Sequence, residues 1–174
     1  MAGAISERLV LTRLATAEDV ATIHQGLHLI AGALHLEAKI ISTPEDIRKH
    51  GFGDHPLFTA LIAEVDGAFA GMSLFFASFS TWRGEPGAYI QDFVVAEAYR
   101  GQGVAEALLR ETAAYAKAEM GARYLRLAVD TDNHRARRFY EGMGLAWSRS
   151  EAIHAAYGAS FEALAERRPS VGSH

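Results

Sequence analysis

The chain has 174 residues, 49% of them hydrophobic and 22% charged, with a formal net charge of −4 and no cysteine. That length and balance suit one folded domain with a proper core and exclude a disordered chain. They also leave no global electrostatic pull towards nucleic acid or an anionic membrane, while the lack of cysteine excludes disulfides, thiolate metal sites and thiol nucleophiles together.

Met1 to Glu7 lacks the basic segment and long apolar run of a secretory signal, and no stretch approaches membrane-spanning length. The expectation is a cytoplasmic protein with one domain over residues 1–174 and a frayed tail from Arg167 onward. In chain order, Leu9 to Leu11 with Arg13 and Leu14 reads as a first strand. Thr16 caps a helix, with Asp19 in the capping-box position, and Val20, Ile23, Leu27 and Ile30 keep helical spacing. Thr43 caps a second helix, where Pro44 costs no hydrogen bond and Glu45 and Asp46 favour the positive end of the dipole. Leu57 to Val65 and Ala68 to Phe79 read as strands joined by an Asp66-Gly67 hairpin turn.

Ser80 to Gly87 reads as a loop and Ala88 to Ala96 as a fourth strand, followed by a turn over Tyr99 to Gly103. A helix runs from Val104 to Met120, and Tyr124 to Val129 alternates as a fifth strand. Asp132 or Thr131 caps a helix to about Met143, with Gly144 as a left-handed C-cap. Leu145 to Tyr157 supplies one or two short strands and Ser160 to Glu166 a last helical turn. The order β-α-α-β-β-β-α-β-α-β implies an α/β fold, a mixed central sheet flanked by helices on both faces.

Two segments carry chemistry. In the first, a buried strand ending at Phe93-Val94-Val95 runs through Arg100-Gly101-Gln102-Gly103 into a helix opening with Val104-Ala105-Glu106. Backbone N–H groups at a helix start have no internal partner, and the dipole adds positive potential, so the turn is an anion site suited to a pyrophosphate. Glycine at 101 and 103 lets the phosphate reach the backbone, and Arg100 adds a forked, permanent charge. A P-loop would need Gly-Lys-Ser/Thr where Gly103-Val104-Ala105 stands, and a Rossmann fingerprint would need a third glycine where Glu106 stands. In the second segment, Asn133, Ala136, Tyr140 and Met143 share one helix face. Tyr140, protonated at neutral pH, can hand a proton to a leaving thiolate, help worth about 10²–10⁴-fold. Asn133 can hold a carbonyl or amide.

Together, Arg100 to Ala105 and Asn133-x-x-Ala136-x-x-x-Tyr140-x-x-x-Gly144-Leu145 resemble the two signatures of the GNAT (GCN5-related) N-acetyltransferase superfamily, with Leu145 where Phe is common. Gly51-Phe52-Gly53-Asp54-His55-Pro56, Ala63-Glu64-Val65, Trp82 and Tyr89-Ile90-Gln91-Asp92-Phe93 are similar to its spermidine/spermine (diamine) acetyltransferase branch. The resemblance implies acetyl-CoA as co-substrate, no metal, direct transfer to a small-molecule primary amine, and a homodimer whose subunits share acceptor residues. Phe93, Val94 and Val95 then face the pantetheine and thioester, and Gly101 to Glu106 wrap the pyrophosphate. Asn133, His134, Arg135 and Ala136 line the cofactor's other side, and Tyr140 is the acid. Glu37, Trp82 and Gln91 are the expected acceptor contacts. Asp92 is a candidate proton relay through water, and a structural carboxylate reads equally well there.

Departures from that branch bear on the acceptor. Gln91 stands where the polyamine enzymes have Glu, Ala33-Leu34-His35 replaces an acidic and aromatic cluster, and Ser80-Thr81 precedes Trp82 in place of Asp-Pro. Each lost carboxylate removes about 1–4 kcal/mol of attraction for a cation in contact. A less cationic amine, such as a lysine analogue, is expected. A protein or peptide acetyltransferase and a silent acyl-CoA-binding domain are the alternatives, though retention of Asn133 and Tyr140 speaks against the silent one. His24 and His28, at i, i+4, read as a surface pair without a third ligand, and Arg135, Arg137 and Arg138 as a solvated basic face.

Overall fold

The computed structural model describes residues 9–149, 151 and 153–165. Its sheet has five strands in the order β1-β2-β3-β4-β5, namely β1 (Val10–Leu14), β2 (Thr59–Val65), β3 (Ala68–Ser80), β4 (Glu85–Val95) and β5 (Leu125–Leu127). Neighbours are antiparallel except β4 and β5, which run parallel. The sheet is therefore mixed, as expected.

Helices cover both faces. On one side lie α1 (Val20–Ala33) and α2 (Pro44–Phe52). Val20, Ile23 and Ile47 pack there on Ala60, Met72, Leu74 and Val94. On the other lies α3 (Val104–Met120), whose Val104, Leu108, Leu109 and Ala116 meet Leu61, Ala63, Phe75, Ala88 and Ile90. Both capping boxes form, Thr16 with Asp19 and Thr43 with Asp46. Asp66 and Gly67, at φ 52° and 76°, close the β2–β3 hairpin, as a type I′ turn requires. Arg13 braces this half of the molecule. Its guanidinium donates two 2.8 Å bonds to Asp19 and reaches Glu64 at 2.8 Å, joining β1, β2 and the entrance to α1.

The structure corrects four boundaries. Pro86 and Gly87 belong to β4, paired with Phe79 and Ser78, so the loop shrinks to residues 81–84. Gly87 sits where a Cβ would come 2.3 Å from the Tyr124 ring, so this glycine serves a close approach within the sheet. β5 spans only Leu125–Leu127. The cap of α4 (His134–Gly142) is Asn133, whose side-chain oxygen accepts from Ala136 N–H, instead of Asp132 or Thr131. Among the described residues no strand follows α4, and the next helix is α5 (Ala159–Ala165). A three-residue β5 offers too short an edge for another strand to pair on. The expected tail from Arg167 lies outside the described residues, among which no helix is long and apolar enough to cross a membrane.

Candidate active site

The site begins with a fault in the sheet. β4 pairs with β5 only through Ala88, Tyr89 and Ile90. Immediately beyond, the β3–β4 register shifts: Phe75 opposes Ile90 and Leu74 opposes Asp92, leaving Gln91 as the extra residue of a bulge. A bulge bends its strand and strengthens the local twist. Here it turns β4 away from β5, and the edge of β4 that β5 had paired is left open. Between the diverging strands lies a cleft of about 820 Å³. The end of β4, the start of α3, the exit of β5, the inner face of α4 and the end of α1 all line it.

At one end of the cleft is the mouth of α3. Tyr99 and Arg100 close a tight turn through bonds to Ala96 O and Glu97 O. Gly101 and Gly103 then adopt φ of 76° and 80°, with nothing within 4 Å of the place a Cβ would take. The first intrahelical bond runs from Ala107 N–H to Gly103 O at 3.0 Å. The N–H groups of Val104, Ala105 and Glu106 are therefore the uncommitted donors of the first turn. Gly101, Gly103 and these three residues all line the cleft, with Arg100 beside them. Gln102 does not; its amide turns back to Ala98 O at 2.8 Å.

At the centre, Phe93 stacks on Phe139, and the Tyr140 ring stands edge-on to both, 6.0 Å and 5.2 Å away. This apolar collar holds the phenol at the cleft wall. Burial pushes the Tyr140 hydroxyl up to about 12. Asp92 also lines the cleft, and burial raises its carboxyl above the ordinary aspartate range. Among the described residues neither side chain has a hydrogen-bond partner, so both polar groups remain available to a ligand.

Asn133, Arg135 and Ala136 line the far wall; His134 does not. Since Asn133 spends its oxygen on the cap, its NH₂ is the part left for a ligand. Gln91 lines the cleft as well. Trp82 and Glu37 do not: Trp82 is 99% exposed at the tip of the β3–β4 hairpin, and Glu37 lies on an exposed turn after α1. The cleft also includes Ala33 and Leu34, at the end of α1 and its C-cap, where the sequence placed the replaced acceptor cluster, and residues that sequence reasoning missed, notably Ile30 of α1, Leu127 of β5, Ala128 to Asp130 after it, and Ile153. The α1 residues had a signal. The apolar stripe through Leu27 and Ile30 continues in phase to the end of that helix. His24 and His28 meet edge-to-face at 4.6 Å, with His24 Nε2 2.9 Å from Ser42 O. No group of three or more potential metal ligands occurs among the described residues.

Comparison with known proteins agrees with this geometry. Residues 26–145 match the acetyltransferase (GNAT) family. The chain is 32% identical over 143 residues to the thialysine N-epsilon-acetyltransferase of Bos taurus, covering 78% of this chain and 83% of that one. It is 35% identical over 75 residues to the human spermidine/spermine N(1)-acetyltransferase-like protein 1, covering 39% of this chain and 11% of that one. Among solved structures, an aminoglycoside acetyltransferase from an uncultured soil metagenomic sample superposes with a TM-score of 0.70 at 18% identity, over 86% of this chain and 95% of that one. An integron cassette protein from the mobile metagenome of V. cholerae gives 0.73 at 17%, over 91% and 98%.

Proposed function

Because the chain belongs to the acetyltransferase (GNAT) family, we propose that it is an N-acetyltransferase moving an acetyl group from acetyl-CoA directly onto the primary amine of a small molecule. The observation that carries this reading is the cleft opened by the bulge at Gln91, into which the α3 amides, Tyr140 and Asp92 all converge. The fit to the nucleotide is chemical. A diphosphate needs several convergent donors, and the first turn of α3 offers three backbone N–H groups, a helix dipole and the Arg100 guanidinium. The left-handed glycines at 101 and 103 keep that approach open.

Bound there, acetyl-CoA supplies an activated acyl group in the form of a thioester. Beyond Ile90 the freed edge of β4 presents the N–H and C=O groups of Phe93 and Val95 to the arm that carries it, while those of Val94 face Met72 on β3. One such N–H stabilises the negative charge that grows on the carbonyl oxygen during attack. Asp92 draws in the acceptor's ammonium and takes its proton, directly or through one water, leaving the nitrogen nucleophilic. Burial disfavours its charged form, which makes Asp92 a readier proton acceptor than an ordinary aspartate. Tyr140 keeps its proton across the physiological range and gives it to the sulfur as the N–C bond forms and the C–S bond breaks. No residue becomes acylated, which suits a chain without cysteine.

The names of the thialysine relatives support a small-molecule acceptor here. The homodimer that the family resemblance implies completes the proposal, since Trp82 and Glu37 lie outside their own chain's cleft and stay available to a second copy. The decisive assay is thiol release from acetyl-CoA over a panel of small primary amines, with the N-acetylated product identified by mass. Amine-dependent release is expected; none with any amine, from protein that binds CoA, rejects the enzyme reading.

A further inference from the structure

The two ends of the cleft differ in chemistry. Towards α3 and α4 it is lined by backbone donors and by Arg100 and Arg135, a surface for anions. Towards α1 it is lined by Ile30, Ala33 and Leu34, which share one helix face at i, i+3 and i+4. Beneath them lies Val94, in the same apolar cluster as Ile30. This wall carries no titratable side chain. His35 and Glu37 follow in sequence but do not line the cleft.

We propose that the acceptor is a monoamine whose reacting nitrogen sits on an uncharged, apolar stem, and that Ile30, Ala33 and Leu34 are the residues that select it. The inference rests on the acetyltransferase reading and deepens it. Three carboxylates line the cleft: Asp92, Glu106 and Asp130. Glu106 is held by Arg110 at 2.8 Å, and Asp130 lies in the segment past the end of β5. Asp92, on β4 two residues from Val94, is therefore the carboxylate that serves an amine entering along the α1 wall. One ammonium finds Asp92. A second, several bonds along the stem, would shed water against methyl groups without a partner, which an apolar wall penalises heavily. A methylene or aryl stem meets the opposite condition, since the wall gains by covering it. Exposed Glu37 offers a distant cation only a screened attraction.

The test uses the full chain, saturating acetyl-CoA and two sets of acceptors: the monoamines hexylamine and phenethylamine against 1,6-diaminohexane, thialysine and spermidine, each of which carries a further ammonium. The expected result is a kcat/KM at least about tenfold higher for hexylamine than for its diamine, a gap of one unpaired charge. Thialysine carries an α-ammonium at the far end of its thioether stem, so it should fall on the diamine side. Placing a carboxylate in the wall with Leu34→Glu, and separately with Ala33→Glu, should raise the diamine-to-monoamine ratio about tenfold. Leu34 is 39% exposed, so the fold tolerates the change. A diamine preferred by the unaltered enzyme, or a ratio unmoved in both variants, overturns the proposal while leaving the acetyltransferase reading intact. Thiol release with no amine of the panel overturns both.

Discussion

Burial shifts two of the ionisable side chains that line the cleft, Tyr140 and Asp92, in the same direction with opposite consequences. For Tyr140, a hydroxyl pushed up to about 12 is a donor at every pH at which the enzyme is handled. Tyr140→Phe removes the donor and keeps the ring that packs against Phe93 and Phe139. Steady-state kinetics should show kcat reduced about tenfold or more with CoA affinity nearly unchanged. The wild-type rate profile should show no alkaline loss from Tyr140 below about pH 11. Asp92 has no donor to offset its burial, so its folded-state carboxyl titrates above the unfolded value. A group raised in this way costs nothing while protonated, and weakens the fold as pH rises through the raised value. Asp92→Asn should therefore melt higher than wild type at pH 7, lose that advantage below about pH 4, and turn over about tenfold or more slowly. A variant that melts lower at pH 7 would mean that Asp92 serves the fold.

At the scale of elements, the strongest constraint lies away from the cleft, where Arg13 ties β1 to β2 and to the entrance of α1. The Arg13 guanidinium, with the Thr16 amide, holds the Asp19 carboxyl down to about 2. A carboxylate depressed in this way contributes stability above its unfolded value near 4 and loses it as pH falls through the folded one. Asp19 is nearly buried, while the Arg13 side chain is 38% exposed and so open to solvent screening. With that discount, Asp19→Asn should cost about 2 kcal/mol at pH 7 in urea unfolding, and nearly nothing at pH 2. An equal cost at both pH values would assign the effect to packing. The sequence announced this brace only in part. Thr16 and Asp19 read as a capping box, and Leu9 to Leu14 as a strand, but the diagonal reach of Arg13 to Glu64 depends on a β1–β2 register that no local pattern encodes.

Across the whole molecule, what was legible followed the same division. Local devices were plain: two capping boxes, the Asp66-Gly67 turn, the glycines before α3 and the bounds of that helix. What depended on distant pairing was not. The shortening of β5 follows from a bulge in a different strand, and Pro86 reads as loop until Phe79 is seen opposite it. Of the site, the α3 mouth and Tyr140 lie within continuous motifs, while the α1 wall reaches the cleft only through tertiary packing. Among the described residues no strand follows Leu145, and that bears on assembly. Tyr157, Phe161 and Leu164 remain 81%, 56% and 77% exposed. A helix of seven residues such as α5, which carries Phe161 and Leu164 and buries neither, is marginal in water by itself. Apolar side chains gathered on one segment mark a contact surface, and in the proposed homodimer a second copy covers it. Sedimentation at micromolar concentration should give about twice the 18.9 kDa of one chain. Phe161→Asp with Leu164→Asp should return the protein to a monomer of unchanged fold by circular dichroism, because on a single chain those side chains have little to lose. A monomeric wild type would reject the homodimer, and an undisturbed dimer in the double variant would place its interface elsewhere.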